Sequence, residues 1–218
     1  MTFSRKRVGV LISGRGSNMR SLVEAARAEN FPAEIALVLS NVADAGGLDF
    51  AQKQGIATAV VDHKLFGDRE GFERAMNETL VAHGVEIVCL AGFMRLLTPW
   101  FVEQWRGRML NIHPALLPSF RGLHTHARAL EEGVKIHGAT VHFVVPELDA
   151  GPIVVQAAVP VLDGDTPEAL GARVLAQEHR IYPLALKLVA SGAARIEGAR
   201  VRVEGEPEAP DALLWPRA

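Results

Sequence analysis

Asn111, His113 and Asp149 are the residues whose types and spacing most directly suggest chemistry. Asn111 and His113 are separated only by Ile112 at the end of a β-rich run, so in extended backbone their side chains leave on one face while Ile112 faces the other way. An amide and an imidazole side by side can donate two hydrogen bonds to one oxygen, the arrangement that stabilises a tetrahedral oxyanion. Acyl transfer is the reaction class this implies. Pro114 and Pro118 stiffen the exit from that strand, which suits fixed geometry. Asp149 stands in the next strand–strand connection, ahead of Ala150-Gly151, where a carboxylate could reach the imidazole and favour its charged form. Each group alone also reads as a backbone-capping side chain. Their convergence argues for a site, because open α/β sheets hold ligands outside the carboxyl ends of their strands.

The neighbouring histidines His124, His126, His137 and His142 raise the question of a metal, imidazole being a common zinc ligand. No cysteine, HExxH motif or closely spaced carboxylate joins them. His124 reads as the start of a helix running to Glu132, and His137 and His142 on one continuous strand would face opposite sides. No metal is expected. A covalent nucleophile is not evident either: Cys89 lies in the apolar run Ile87 to Leu90, and no Ser–His pair stands out.

Three further stretches have the composition of binding elements. Ser13-Gly14-Arg15-Gly16-Ser17-Asn18 separates a buried strand from a helix start, where free N–H groups and the positive end of the helix dipole converge on an anion. It lacks the Gly-Lys-Ser/Thr of a Walker A loop, and Met19 holds the third glycine position of the dinucleotide fingerprint. A compact phosphate monoester fits better than a dinucleotide; the alternative is a tight turn in which Ser17 merely caps the helix. Ala91-Gly92-Phe93-Met94-Arg95-Leu96-Leu97 offers an apolar set with one cation at a strand end, suited to a flat heteroaromatic ring, or else a core-facing loop with a surface arginine. Glu178, on the last long helix, reads by itself as part of a solvated face.

The elements that must position these groups follow from hydrophobic periodicity. Val8 to Ile12, Ile35 to Leu39, Ala57 to Val61 and Val85 to Leu90 are expected as strands, alternating with helices from about Met19, Gly47 to Gln54, and Arg69 to His83. This βα alternation implies a parallel sheet with right-handed crossovers. Pro99 to Trp105 is a short helix with proline in its first turn, and Arg108 to Ile112 a strand leading into His113. Gly138 to Val145 and Pro152 to Val161 are β-rich runs joined by a short loop, an antiparallel pair that extends the sheet. Thr166-Pro167-Glu168 opens a helix to about Val189 that Pro183 is expected to kink or divide. Arg195 to Val203 alternates, as a peripheral hairpin or frayed terminus, before a Glu/Pro-rich end. The fold class is therefore α/β: a Rossmann-like, mostly parallel sheet with helices on both faces and an antiparallel C-terminal pair.

With 218 residues, one domain over 1–218 is expected, long enough to bury a sizeable core. A formal charge of −2 gives no general attraction to a polyanion, so neither nucleic acid nor a membrane surface is expected as a partner. One cysteine cannot form an intrachain disulfide, which fits a reducing cytoplasm. The apolar run after Arg7 ends at Ser13-Gly14, short of the roughly 7–15 residues of a signal peptide core.

The segments VLISGRGSN, SNVADAGGL, AGFMRLL, NIHPALLPSFRGLHTHARALEEG, HGATVHFV, ELDAGPI and QEHRIYP occur in this order between about Val8 and Pro183. With them the chain resembles the phosphoribosylglycinamide formyltransferases, folate-dependent enzymes of purine synthesis. The resemblance implies transfer of a formyl group from 10-formyltetrahydrofolate to the amine of 5′-phosphoribosylglycinamide, without a metal. It implies that Gly16, Ser17 and Asn18 hold the ribonucleotide phosphate and that Glu178 contacts the ribonucleotide. Arg69 and Met94, Arg95, Leu96 and Leu97 would bind the folate together with Asn111. Asn111 and His113 would stabilise and protonate the intermediate while Asp149 tunes the histidine. The N-terminal half would thus handle phosphate and the C-terminal half catalysis and folate, in a monomer or homodimer whose partners are small-molecule substrates. Arg121 receives no role.

Three other readings compete. Methionyl-tRNA formyltransferase shares the Asn-x-His-Pro signature but carries a further tRNA-binding domain, and here only some 35 residues follow Pro183. Formyltetrahydrofolate hydrolase usually has an N-terminal regulatory domain, whereas this chain begins on its first strand. A non-catalytic nucleotide-binding module would have no reason to combine Asn111, His113 and Asp149.

Overall fold

The structure is a computed structural model that describes residues 4–205. The first half is the expected alternation: β1 (Lys6–Ile12), α1 (Ser17–Ala26), β2 (Ala33–Ser40), α2 (Gly46–Lys53), β3 (Ala57–Val60), α3 (Arg69–Ala82) and β4 (Ile87–Leu90). The second half adds α4 (Pro99–Gln104), β5 (Met109–His113), α5 (Thr125–Glu131), β6 (Ile136–Phe143), β7 (Ile153–Pro160) and α6 (Pro167–Ala190). The hairpin β8 (Ala194–Glu197) and β9 (Arg200–Val203) follows as a separate two-stranded sheet. The Glu/Pro-rich end falls outside the described residues.

The main sheet has strand order β3-β2-β1-β4-β5-β6-β7. Pairings are parallel from β3 through β5 and antiparallel for β5–β6 and β6–β7. The central strands are apolar without alternation because both faces are covered: β4 is buried at all four positions. Val10, Ile12, Met19, Leu22, Val174 and Tyr182 belong to a core cluster beneath α1 and α6, while Leu11, Leu39, Phe72, Met76 and Phe101 form a second beneath α3 and α4.

Pro183 does not divide α6, which runs uninterrupted through 24 residues. Packing on both sides of the proline outweighs the lost helical hydrogen bond. Leu170 and Val174 are buried before it, and Ala185 and Leu186 after it. Next to it, the buried Tyr182 hydroxyl lies 2.9 Å from the carbonyl of Leu90 and 3.1 Å from that of Leu110, tying the helix to β4 and β5. The start is as expected: the Thr166 hydroxyl accepts from the N–H of Ala169, and Pro167 occupies the first turn.

Candidate active site

The chain leaves β1 toward β2 and β3 on one side of the sheet and returns through β4 and β5 on the other, so the strand order reverses between β1 and β4. A crevice at such a reversal is where α/β sheets hold ligands. The loops that follow β1, β4 and β5 all open there. Register brings them together: Leu11 pairs with Leu90, Leu90 with Asn111, Asn111 with His142 and His113 with Thr140.

His113 is buried, and both ring nitrogens have neighbours. Nε2 lies 2.9 Å from the carbonyl of Phe120, and Nδ1 lies 3.4 Å from Oδ2 of Asp149. A carbonyl only accepts, so Nε2 carries a proton, and the carboxylate stands beside Nδ1. Asp149 is equally enclosed, and its Oδ2 accepts the N–H of Gly122 at 2.9 Å. The connection carrying Asp149 lies tight against β6: a Cβ on Gly151 would sit 1.7 Å from the Phe143 carbonyl oxygen, so only glycine fits there.

Asn111 meets a residue whose role was not legible in the sequence. Its Nδ2 lies 3.2 Å from Nε2 of His142, and Nδ1 of His142 lies 2.9 Å from the carbonyl of Phe143. That carbonyl obliges Nδ1 to be the donor, which makes Nε2 an acceptor and turns the Asn111 amide NH2 toward it. One amide N–H is then spent on His142, and the other is aimed by it. Burial pushes the His142 imidazole below its usual value, with His113 adding to the effect while the Phe143 carbonyl and Asp149 oppose it. A neutral His142 is what the acceptor role requires. The sequence signal that could have found it is the antiparallel register opposite Asn111.

At the β1–α1 loop, Gly16 is the helix N-cap, in left-handed backbone at φ 67°, and no side chain caps the helix. The alternative in which Ser17 caps is therefore not what forms; Ser17 is the first helical residue. The helix start is left to an external acceptor or to water. Glu178 is not on a solvated face. It is 7% exposed, and its Oε2 accepts from Nδ2 of Asn18 at 2.6 Å across the α1–α6 contact. Burial raises its carboxyl above the ordinary range against the lowering effect of Asn18, whose own Oδ1 is buried without a partner among the described residues.

The Ala91–Leu97 stretch opens beside this loop. Ser13 donates its N–H to the Gly92 carbonyl at 3.1 Å, and its hydroxyl accepts the N–H of Met94 at 2.8 Å while donating to Asn41 at 2.6 Å. Met94, Arg95 and Leu96 are exposed, whereas Leu97 is half-buried against the core. Arg69, the first residue of α3, is exposed. One turn later on the same helix, the fully buried Glu73 accepts from the N–H of Thr98 at 2.8 Å and from its hydroxyl. That contact moors α3, one turn after Arg69, to Thr98 at the end of the 91–97 loop.

His126 and His137 contact each other at 3.2 Å, and burial lowers both imidazoles with the nearby His113 adding to the effect. Burial pushes the Cys89 thiol up to about 12, which removes it as a nucleophile. Among the described residues no group of three or more His, Cys, Asp or Glu side chains is placed to hold a metal ion. No helix among them is long and apolar enough to cross a membrane.

The family model described as formyl transferase matches residues 6–186. The phosphoribosylglycinamide formyltransferase of Escherichia coli K12 is 45% identical over 90% of this chain and 96% of its own. The trifunctional purine biosynthetic protein adenosine-3 of Bos taurus is 52% identical over 90% of this chain, which spans only 20% of that protein. The crystal structure of glycinamide ribonucleotide transformylase 1 from Symbiobacterium toebii superposes with a TM-score of 0.89 at 49% identity, over 91% of this chain and 94% of that one. The chain belongs to the formyl transferase family.

Proposed function

We propose that this chain, acting as a single domain, transfers the formyl group of 10-formyltetrahydrofolate to the amine of 5′-phosphoribosylglycinamide. The observation that carries the reading is the convergence of Asn111, His113 and Asp149 at the strand-order reversal, in a chain alike over nearly its whole length to the E. coli formyltransferase. The uncapped start of α1 at Gly16, Ser17 and Asn18 receives the ribonucleotide phosphate, and the buried Glu178 addresses the sugar side of the same molecule. Exposed Met94 and Leu96, with Leu97 behind them, supply an apolar wall for the folate ring, and Arg69 and Arg95 supply cations for its carboxylates.

In the reaction the unprotonated amine attacks the formyl carbon, and negative charge gathers on the formyl oxygen. The Asn111 N–H and a His113 N–H meet that oxygen, while Asp149 holds positive charge on the imidazole. As the intermediate collapses, the bond from carbon to the folate nitrogen breaks. That nitrogen takes up a proton and the attacking nitrogen loses one, so the protons balance. No bond to the protein forms.

The test is to follow loss of 10-formyltetrahydrofolate by absorbance with and without the ribonucleotide. Release that requires the ribonucleotide and yields its formyl derivative supports the proposal. Release at the same rate without acceptor overturns it in favour of a hydrolase.

A further inference from the structure

Phe120-Arg121-Gly122 contacts both members of the catalytic pair. The Phe120 carbonyl accepts from Nε2 of His113 at 2.9 Å, and the N–H of Gly122 donates to Oδ2 of Asp149 at 2.9 Å. To do so Phe120 adopts φ 55°, a region that a bulky L residue rarely occupies and keeps only when its surroundings over-determine it. Those surroundings are visible. The Phe120 ring stands edge-on to His137 at 5.6 Å and lies under the Arg128 guanidinium at 5.5 Å. Arg128 Nη1 also donates to the Arg121 carbonyl at 2.7 Å. His137 is itself held 3.2 Å from His126, and burial keeps its imidazole neutral, with a value pushed down to about 4. Gly122 has φ 80°, and a Cβ there would meet nothing within 4 Å, so glycine serves the backbone conformation and not the available space.

We infer that residues 120–122 are a positioning clamp for the catalytic pair, locked by the Phe120 ring against His137 and Arg128. The clamp rests on the formyl-transfer reading above. Its carbonyl holds the Nε2 proton of His113 in the free enzyme, and the formyl oxygen takes over as acceptor when charge develops. Its N–H at residue 122 keeps Asp149 facing Nδ1. Phe120 and Gly122 are thus positioning residues that act through His113 and Asp149. A merely apolar role for Phe120 would require bulk at this position, whereas the clamp requires an aromatic ring.

The discriminating variants are Phe120→Tyr, which keeps the ring, Phe120→Leu, which keeps apolar bulk alone, and Gly122→Ala. Steady-state formyl transfer is measured with both substrates varied. Phe120→Tyr is expected within twofold of the parent protein. Phe120→Leu and Gly122→Ala are expected to lose about tenfold in kcat with both KM values within about twofold, as for loss of orientation at the reacting group. Unchanged kcat in Phe120→Leu, or a loss confined to KM, overturns the clamp. Should the parent protein lack acceptor-dependent transfer, the function proposal fails, and 15N NMR of histidine-labelled protein then decides the clamp by itself. A hydrogen-bonded Nε2–H of His113 present in the parent and Phe120→Tyr but lost in Phe120→Leu supports it; an identical signal in all three overturns it.

Discussion

Replacing Asp149 by asparagine removes one charge with almost no change in shape. The Gly122 N–H keeps an oxygen acceptor if the amide presents its carbonyl to it, and packing is preserved. What disappears is the carboxylate 3.4 Å from Nδ1 of His113, in surroundings where both side chains are less than a tenth exposed. At that distance and an effective dielectric of about 20, a full charge pair is worth about 5 kcal/mol. Part of each charge is already compensated, by the Gly122 N–H on one side and the Phe120 carbonyl on the other, which leaves about 3–4 kcal/mol of transition-state stabilisation at stake. This converts to a loss of about 10²- to 10³-fold in kcat. KM for the ribonucleotide and for the folate should move by less than about threefold, because Asp149 faces Gly122, His113 and His142. The assay is folate absorbance under saturating acceptor, repeated across a pH series. A variant equal to the parent at every pH, or one impaired only through KM, would refute the role of the charge.

Other substitutions probe the rest of the site. His113→Ala should lose about 10²-fold or more in kcat, the scale of removing one oxyanion donor; a near-normal rate removes His113 from the mechanism. Glu178 is raised by burial above its ordinary 4.5, so its contribution to stability is full below that value and is lost as pH rises through the raised one. Glu178→Gln should therefore be at least as thermostable as the parent at neutral pH while raising KM for the ribonucleotide; a lower melting temperature at pH 7 with an unchanged KM would contradict both points. His137, depressed from 6.5 to about 4, contributes stability that is present above 6.5 and lost as pH falls toward about 4. His137→Phe should make the acid limb of the pH–stability curve shallower, and denaturant unfolding at pH 4, 5, 6 and 7 that shows the same slope in both proteins would refute this.

The shared face of Asn111 and His113 was legible because it depends on local facts. Asn111 and His113 are two residues apart on a strand, and a period of two puts them on one face whatever surrounds them. The glycine loop after β1, the proline-started α4 and α6, and the apolar runs of β1 and β4 are likewise local signals, and each element formed within a few residues of its expected bounds. Glu178 shows where this kind of inference fails. Its neighbours Gln177 and Arg180 are polar, so the pattern suggests solvent, yet α6 packs against α1 and Asn18 closes over the carboxylate. Pro183 fails in the same way, since a propensity for breaking helices is overridden once Tyr182, Ala185 and Leu186 are buried around it.

By itself the sequence determined which residue types are available for chemistry, the strand that aligns Asn111 with His113, and the α/β order that brings loops to one edge of a sheet. Only the tertiary structure decided which atoms face each other. Antiparallel register set His142 against Asn111 and thereby oriented its amide, the β6–β7 connection carried Asp149 back to His113, and the left-handed turn at Phe120 gave His113 its second partner. These contacts join residues far apart in the chain through hydrogen bonds whose direction depends on which group can only accept, and no spacing along the sequence encodes that.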